Sequence, residues 1–310
     1  MFWASKEFEF KDIPDLTGKI AIITGSNTGI GKVCALEMAR KGCQVVIGCR
    51  DEKKANAAME DIKKSTGNDK VEFIRLDLMS LQSVKEFADT FKARYDRLHI
   101  LMNNAGVMMC PFALSKDGIE TQFATNHVGH FYLTVQLLPL LEQSAPSRII
   151  NVSSIAHHTP FKRLDLEHIS DEKRYNRIIH YGKSKTANIL FTRELNKRLQ
   201  AKGCKNVYVN CNHPGMVQSE LERHIVGGLL PGFLYRMFQI STEDGALAQL
   251  FLATSPKVEQ ENITGEYYVP YGKRAQTTTM AASDEVALEL WNFTENLLKE
   301  KIPGYTGAGI

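Results

Sequence analysis

Short apolar runs alternate with helical stretches along this chain almost without interruption, and that rhythm limits the fold more than any other feature. Lys19–Thr24 (KIAIIT), Gln44–Cys49 (QVVIGC), Val71–Leu76, His99–Met102, Arg148–Val152 and Val207–Cys211 are the apolar runs. Ile30–Lys41, Glu52–Ser65, Ser80–Tyr95, Gly118–Leu141 and Ile178–Leu199 lie between them and read as helices. Glu266–Val269 fits a further strand, and Glu285–Lys299 a closing amphipathic helix. Apolar strands separated by helices predict a parallel sheet covered on both faces, joined by right-handed crossovers. The expected class is therefore α/β, a doubly wound sheet of about seven strands. No repeat, linker or composition break divides the 310 residues, so one domain over 1–310 is expected. Ser219–Ser241 departs from the rhythm and reads as a small inserted lobe.

Composition narrows the function classes. With 43% hydrophobic and 24% charged residues the chain can bury a real core, and a net charge of +3 is too mild to suggest nucleic acid as a partner. The six cysteines show neither C-x-x-C nor zinc-ligand spacing, and several sit in apolar runs. Buried free thiols of a reducing compartment are expected. Residues Met1–Asp15 lack an apolar signal core, and Ile225–Tyr235 is shorter than the ~20 residues of a bilayer span. The expected location is the cytoplasm, with peripheral membrane contact left open. His127, His130, His157, His158, His180 and His213 read as helix-surface or loop histidines, without metal-ligand spacing.

The first strand runs into Thr24-Gly25-Ser26-Asn27-Thr28-Gly29-Ile30-Gly31, and a helix follows. Glycines let a backbone approach a pyrophosphate closely, and a helix N-terminus offers free N–H groups with partial positive charge. The end of the second strand selects between dinucleotides. A carboxylate there accepts from the ribose 2′-OH of NAD. This chain instead has Cys49 followed by Arg50, with Lys32 just past the last glycine. Arginine can grip a 2′-phosphate with a bidentate fork, so NADP(H) is the expected cofactor. Asp51 is the complication, because its carboxylate could swing to a ribose hydroxyl.

Tyr181-Gly182-Lys183-Ser184-Lys185 opens a long helical stretch and sets Tyr181 and Lys185 on one face. A phenol has a pKa of about 10, and a neighbouring ammonium stabilises the phenolate. Such a tyrosine can give a proton to a developing alkoxide or take one from an alcohol. Asn151-Val152-Ser153-Ser154 follows the fifth strand at the carboxyl edge of the sheet, where a serine hydroxyl can stabilise charge on a substrate oxygen. Either serine could do so. Asn103-Asn104-Ala105-Gly106 ends the fourth strand, and Asn126 sits mid-helix, where an amide usually needs a reason.

The segments TGSNTGIGK, NNAG, TNHVGHF, RIINVSS, YGKSK and HPGMVQSEL resemble those of short-chain dehydrogenase/reductases. YGKSKTANILFTREL and NHVGHFYLT are most similar to the retinol dehydrogenase/WW-domain oxidoreductase-like branch. The resemblance covers residues 15–270 and implies a Rossmann fold. It implies Tyr181 as general acid/base, Lys185 on the nicotinamide ribose and the tyrosine, Ser154 on the substrate carbonyl, and Asn126 holding a relay water. It implies that Gly25, Asn27, Thr28, Gly29, Ile30, Gly31, Lys32 and Arg50 hold the phosphates. Asp77 and Leu78 would meet adenine, while Asn104, Ala105 and Gly106 would support a ribose. Pro214, Gly215, Val217 and Ser219 would close over the nicotinamide. The 26 residues between Ser154 and Tyr181 exceed the dozen of many members, an extension shared with the retinol dehydrogenase branch. Members often carry a membrane anchor and pair through their long helices; this chain shows no anchor, and a homodimer is left open.

Leu221–Ile240 follows Pro214-Gly215 and is dense in apolar residues broken by glycine and proline. It is expected to form a substrate lid, which implies a lipophilic carbonyl or alcohol as substrate. The competing expectation is a non-catalytic module that senses NADP(H).

Overall fold

The computed structural model describes residues 6–217 and 240–310. Its first half is the anticipated alternation: β1 Ile20–Thr24, α1 Gly29–Arg40, β2 Gln44–Cys49, α2 Glu52–Thr66, β3 Val71–Arg75, α3 Leu81–Arg94 and β4 Ile100–Asn103. After a long connection come α4 Thr121–Phe123, a π-helical turn Ala124–Val128, α5 Gly129–Gln143, β5 Ser147–Val152, α6 Arg177–Lys202 and β6 Val207–Asn212. The remaining elements are α7 Thr242–Thr254, α8 Lys257–Gln260, β7 Tyr267–Val269, β8 Lys273–Arg274 and α9 Asp284–Lys301.

Among the described residues the strands form one sheet in the order β3-β2-β1-β4-β5-β6-β7-β8. Every pairing is parallel except β7 with β8. This is the doubly wound α/β architecture, with one two-residue antiparallel strand beyond the seven expected. Lys273–Arg274 carries no apolar pattern, so periodicity could not reveal it. Sequential order reverses between β1 and β4, and such switch points are where open α/β sheets bind ligands at their carboxyl edge.

One face of the sheet packs Phe87, Phe91, Phe123, Phe131, Leu190 and Trp291 from α3 to α6 and α9. The other packs Met38, Ile47, Ile62 and Leu250 against α1, α2 and α7. Two expectations need correction. The helix anticipated over Gly118–Leu141 is interrupted: Gly129 N–H reaches the Ala124 carbonyl, a π-type turn centred on Asn126. Such turns re-aim side chains and recur at functional sites. Of the six histidines read as superficial, His127, His130, His157, His180 and His213 are buried, because their helices and turns face the core, and His158 is exposed. The anticipated lid lies outside the described residues, save Ile240 and Ser241. Ile240 bridges Val217, and its N–H bonds the Met216 carbonyl at 2.9 Å.

Candidate active site

The carboxyl ends of β1 and β4 lie side by side, so the loops that follow them touch. Gly25 takes φ +66°, and a Cβ there would lie 2.9 Å from both Cα and Cβ of Ala105. A Cβ on Gly31 would stand 2.5 Å from Asn104 Nδ2 and 2.9 Å from the Gly25 carbonyl. Thr24 fastens the two turns together. Its hydroxyl accepts the Asn104 N–H at 3.0 Å and the Ala105 N–H at 2.9 Å, while its carbonyl accepts Asn104 Nδ2 at 2.7 Å. Gly29 opens α1, with Ile30 half-buried behind it; the Thr28 side chain caps nothing, and no acidic residue occupies the first turn. The first N–H groups of α1 are thus presented to an anion, as a dinucleotide pyrophosphate requires.

Buried Cys49 ends β2, where a carboxylate would be needed to favour an unphosphorylated ribose. Arg50 is exposed and has no partner among the described residues. Asp51 is committed elsewhere, capping α2 by accepting the Lys54 N–H at 3.0 Å. Lys32 is committed too: its ammonium pairs with Asp61 at 2.6 Å. Asp77 is half-buried and accepts the Met79 N–H at 3.1 Å, and Leu78 is buried with its carbonyl 2.9 Å from where a Gly129 Cβ would be.

Tyr181, Lys185, Ser153 and Asn126 are all buried. Asn176 caps α6 by accepting from Ile178 and Ile179 N–H. One turn later Tyr181 and Lys185 face the same way, both buried, with the ammonium 5.8 Å from the phenol ring centre. Lys185 Nζ donates to the Val152 carbonyl at 3.0 Å, and burial pulls its pKa down to about 8. The two serines differ in use. Ser153 is buried and its hydroxyl donates to the Lys185 carbonyl at 2.7 Å. Ser154 is half-buried, and its hydroxyl oxygen accepts the Ala156 N–H at 3.1 Å.

Asn126 joins the loop after β4 to α6. Its amide oxygen accepts the Val107 N–H at 2.9 Å, and its amide nitrogen donates to the Val107 carbonyl at 3.0 Å and to the Ser184 hydroxyl at 2.9 Å. Ser184 in turn donates to the Tyr181 carbonyl at 2.8 Å. Gly106 lies in the same corner: a Cβ there would be 3.2 Å from Asn126 Oδ1 and 3.4 Å from Lys185 Nζ. Gly215, at φ +93°, packs under Ile240 beside half-buried Pro214 and buried Val217. Ser219 lies outside the described residues. Thr24, His130 and Ser184 adjoin these residues and were given no role from sequence, His130 being read as a helix-surface or loop histidine. Ser184 sits inside the tyrosine–lysine motif; Thr24 and His130 carried no signal beyond lying within motif segments.

A model of the short chain dehydrogenase family matches residues 19–166. Human retinol dehydrogenase 12 is 44% identical over 283 residues, which cover 91% of this chain and 87% of that protein. The chain belongs to the short-chain dehydrogenases. Within this oxidoreductase family it is retinol dehydrogenase-like, as its motif segments implied. A solved Mycobacterium paratuberculosis protein superposes on this short-chain dehydrogenase with TM-score 0.77 at 32% identity, covering 94% of this chain and 97% of that one. A Pseudomonas aeruginosa RhlG/NADP active-site complex matches with TM-score 0.64 at 26% identity, over 82% of this chain and 95% of that one. No described helix of this dehydrogenase is long and apolar enough to cross a membrane.

Proposed function

We propose that this enzyme moves a hydride between NADP(H) and a carbonyl/alcohol pair on a lipophilic small molecule, with Tyr181 as general acid/base. The observation that carries the reading is the buried Tyr181–Lys185 face beside half-buried Ser154 at the switch-point edge of the sheet. NADP(H), when bound, supplies the hydride for reduction and accepts it for oxidation. The open N-terminus of α1 and the turns at Gly25 and Asn104 would hold its pyrophosphate and ribose, and Arg50 its 2′-phosphate. Cys49 in place of a carboxylate and the engagement of Asp51 in capping α2 favour the phosphorylated cofactor. With Lys32 paired to Asp61, Arg50 is the stronger candidate of the two cations.

On the protein side, Ser154 donates to the substrate oxygen and Tyr181 donates the proton that completes an alcohol. Lys185, an ammonium below about pH 8, stabilises negative charge on the phenol oxygen and replaces its proton. Asn126 fixes the loop after β4 against α6 and is the residue proposed to hold a relay water. Ile155 and Met216 are large apolar side chains exposed next to Ser154 and Gly215. That placement, with the retinol named by the relatives, supports a greasy substrate. Six cysteines that form no disulfide fit a reducing compartment such as the cytoplasm. Peripheral membrane contact would bring the enzyme to lipophilic substrates. Trp291 of α9 packs on Phe131 and Phe191, so a homodimer would need a face other than this part of α5 and α6.

The test is turnover of straight-chain aldehydes with NADPH and with NADH. The reading expects NADPH to be preferred and kcat/KM to climb with chain length, at about 0.8 kcal/mol per buried CH₂. A flat series removes the lipophilic part. Tight NADPH binding with no turnover on aldehydes, ketones or alcohols would make the protein a cofactor sensor instead.

A further inference from the structure

His130 lies at the start of α5, one turn beyond Asn126, and is 2% exposed. No role for it follows from the hydride-transfer chemistry. Both of its ring nitrogens are nevertheless bonded, and the partners dictate which one carries the proton. Nδ1 is 3.1 Å from the Asn126 carbonyl, which can only accept. Nδ1 is therefore protonated. Burial pulls the imidazole pKa down to about 4, with the Lys185 charge adding to the effect, so the ring is neutral at physiological pH and Nε2 is bare. Nε2 is 2.9 Å from the Thr24 hydroxyl, which must donate to it. The other acceptor near that hydroxyl, the Met102 carbonyl, is farther away at 3.4 Å. The Thr24 oxygen keeps its lone pairs for the Asn104 and Ala105 N–H groups.

The bonds therefore form one directed chain. It starts at the backbone of the Asn104–Ala105 turn, passes through the Thr24 hydroxyl and the imidazole, and ends on the main chain of Asn126. From Asn126 the amide continues to Val107 and to Ser184, which lies between Tyr181 and Lys185. The π-turn over Ala124–Val128 is the backbone irregularity at which the ring makes this contact. Deleting either end would leave a buried polar group unsatisfied.

We infer that His130 is a positioning residue: fixed as its Nδ1–H tautomer, it ties the Asn126 carbonyl to the Thr24 hydroxyl and so holds the cofactor turn in register with the helix that bears Tyr181 and Lys185. The inference rests on the proposed NADP(H) chemistry for its kinetic readouts, while the bonds themselves belong to the protein alone.

Two amide substitutions divide the roles. In His130→Asn the amide falls near the Nδ1 position and can still donate to Asn126, but it cannot reach Thr24. In His130→Gln the amide extends to the Nε2 position and can accept from Thr24, but it offers Asn126 no donor. His130→Asn is expected to weaken NADPH binding about 10-fold, measured by nucleotide fluorescence, with kcat within about threefold of wild type. His130→Gln is expected to reverse the pattern, with near-native NADPH affinity and kcat lowered about 10-fold. His130→Phe should lose both. If Asn and Gln variants lose affinity and kcat equally, in proportion to a fall in Tm, His130 is only a packing residue and the inference fails; it also fails if both match wild type. Ring-nitrogen NMR of the cofactor-free wild-type protein is an independent arm. It should show His130 neutral with the proton on Nδ1 at neutral pH, and an Nε2–H tautomer or an imidazolium overturns the inference. A wild-type protein that binds NADPH but reduces nothing sinks the proposed function without touching this NMR result.

Discussion

Where β1 meets β4, two turns approach too closely for an added carbon: the Gly25 and Gly31 positions have no room for a methyl group, Gly25 because of Ala105 and Gly31 because of the Asn104 amide and the Gly25 carbonyl. Where β5 meets α6, the contacts are buried side chains on carbonyls and hydroxyls. Ser153 reaches Lys185, Lys185 reaches Val152, Asn188 reaches the same Val152 carbonyl at 3.0 Å, and Asn126 reaches Ser184. A cradle of backbone works by close approach and fails abruptly when one atom is added. A network of side chains fails by degrees, because each net hydrogen bond is worth about 0.5–1.5 kcal/mol and neighbours partly compensate. The exception, on the proposed reaction, is the Tyr181 hydroxyl, because no neighbour could replace the proton it would transfer.

That exception gives the largest expected effect. Tyr181→Phe removes the transferable proton and little else, so kcat should drop by about 10²–10⁴ while NADPH still binds. Steady-state turnover together with nucleotide fluorescence checks it. A variant keeping more than a tenth of wild-type kcat would show that another group donates the proton.

The cradle is broken by one carbon. Gly25→Ala forces a left-handed φ of +66° on an alanine and drives its methyl into the Ala105 main chain. Backbone strain of this kind costs about 1–3 kcal/mol before the clash is added, so NADPH affinity should fall on the order of 100-fold. Calorimetric titration reads it, with Tm recorded alongside. Near-native affinity would mean that the two turns can separate, and that the contrast with the side-chain end is overdrawn.

The same contrast explains what could be read from the chain. The glycine turns were legible because glycines at the end of an apolar run announce a tight turn, and the parallel, doubly wound sheet followed from the β-α-β rhythm. The motif residues Tyr181, Lys185, Ser154 and Asn126 were legible by resemblance. Their connections were not, since a network such as Thr24–His130–Asn126 joins residues far apart in sequence, and each looks ordinary alone. The same physics hid α7: every residue from Gly245 to Thr254 is buried, so no polar stripe marks a helical period. Its N-terminus did carry a sign, Ser241 three residues before Asp244, whose N–H bonds the Ser241 hydroxyl at 3.0 Å. The π-turn at Asn126 was invisible because helical spacing drifts by a single residue there, and the different hydroxyl partners of Ser153 and Ser154 left no mark in the sequence.

Cofactor choice tests the solvent-facing rim of the cradle, where a side chain can change without disturbing the turn. Arg50→Asp should weaken NADPH by about 10- to 150-fold, the range for losing a charge-assisted bond, and improve NADH relative to it. The ratio of kcat/KM values for the two cofactors measures it. Because Lys32 is held by Asp61, Lys32→Ala should change that ratio much less. If the two variants exchange these behaviours, the phosphate is read from α1 and not from the end of β2.

The smallest effect separates the charge on Lys185 from the proton on Tyr181. Burial pulls the Lys185 ammonium down to about 8, so the charged form prevails below that pH and is lost as pH rises through it. The ionisable neighbours that interact with it stay silent there: burial pushes the Cys211 thiol up to about 12 and holds His130 near about 4. Glu120, raised by burial to about 7, titrates closer but caps α4 through the Gln122 and Phe123 N–H groups, and Glu120→Gln removes it as a suspect. An ammonium on the nicotinamide ribose is a charge-assisted donor, so NADPH affinity should decline about 10-fold as pH rises past about 8. Turnover would fall in the same range, yet turnover also depends on Tyr181. The decisive measurement is therefore NADPH binding against pH in Tyr181→Phe, which has no phenol to titrate. If the decline persists in Tyr181→Phe and disappears in Lys185→Met, where binding is weak but flat, the charge belongs to Lys185. If it disappears in Tyr181→Phe instead, the phenol rather than the ammonium is the titrating partner of the cofactor, and the division of labour between these two residues must be redrawn.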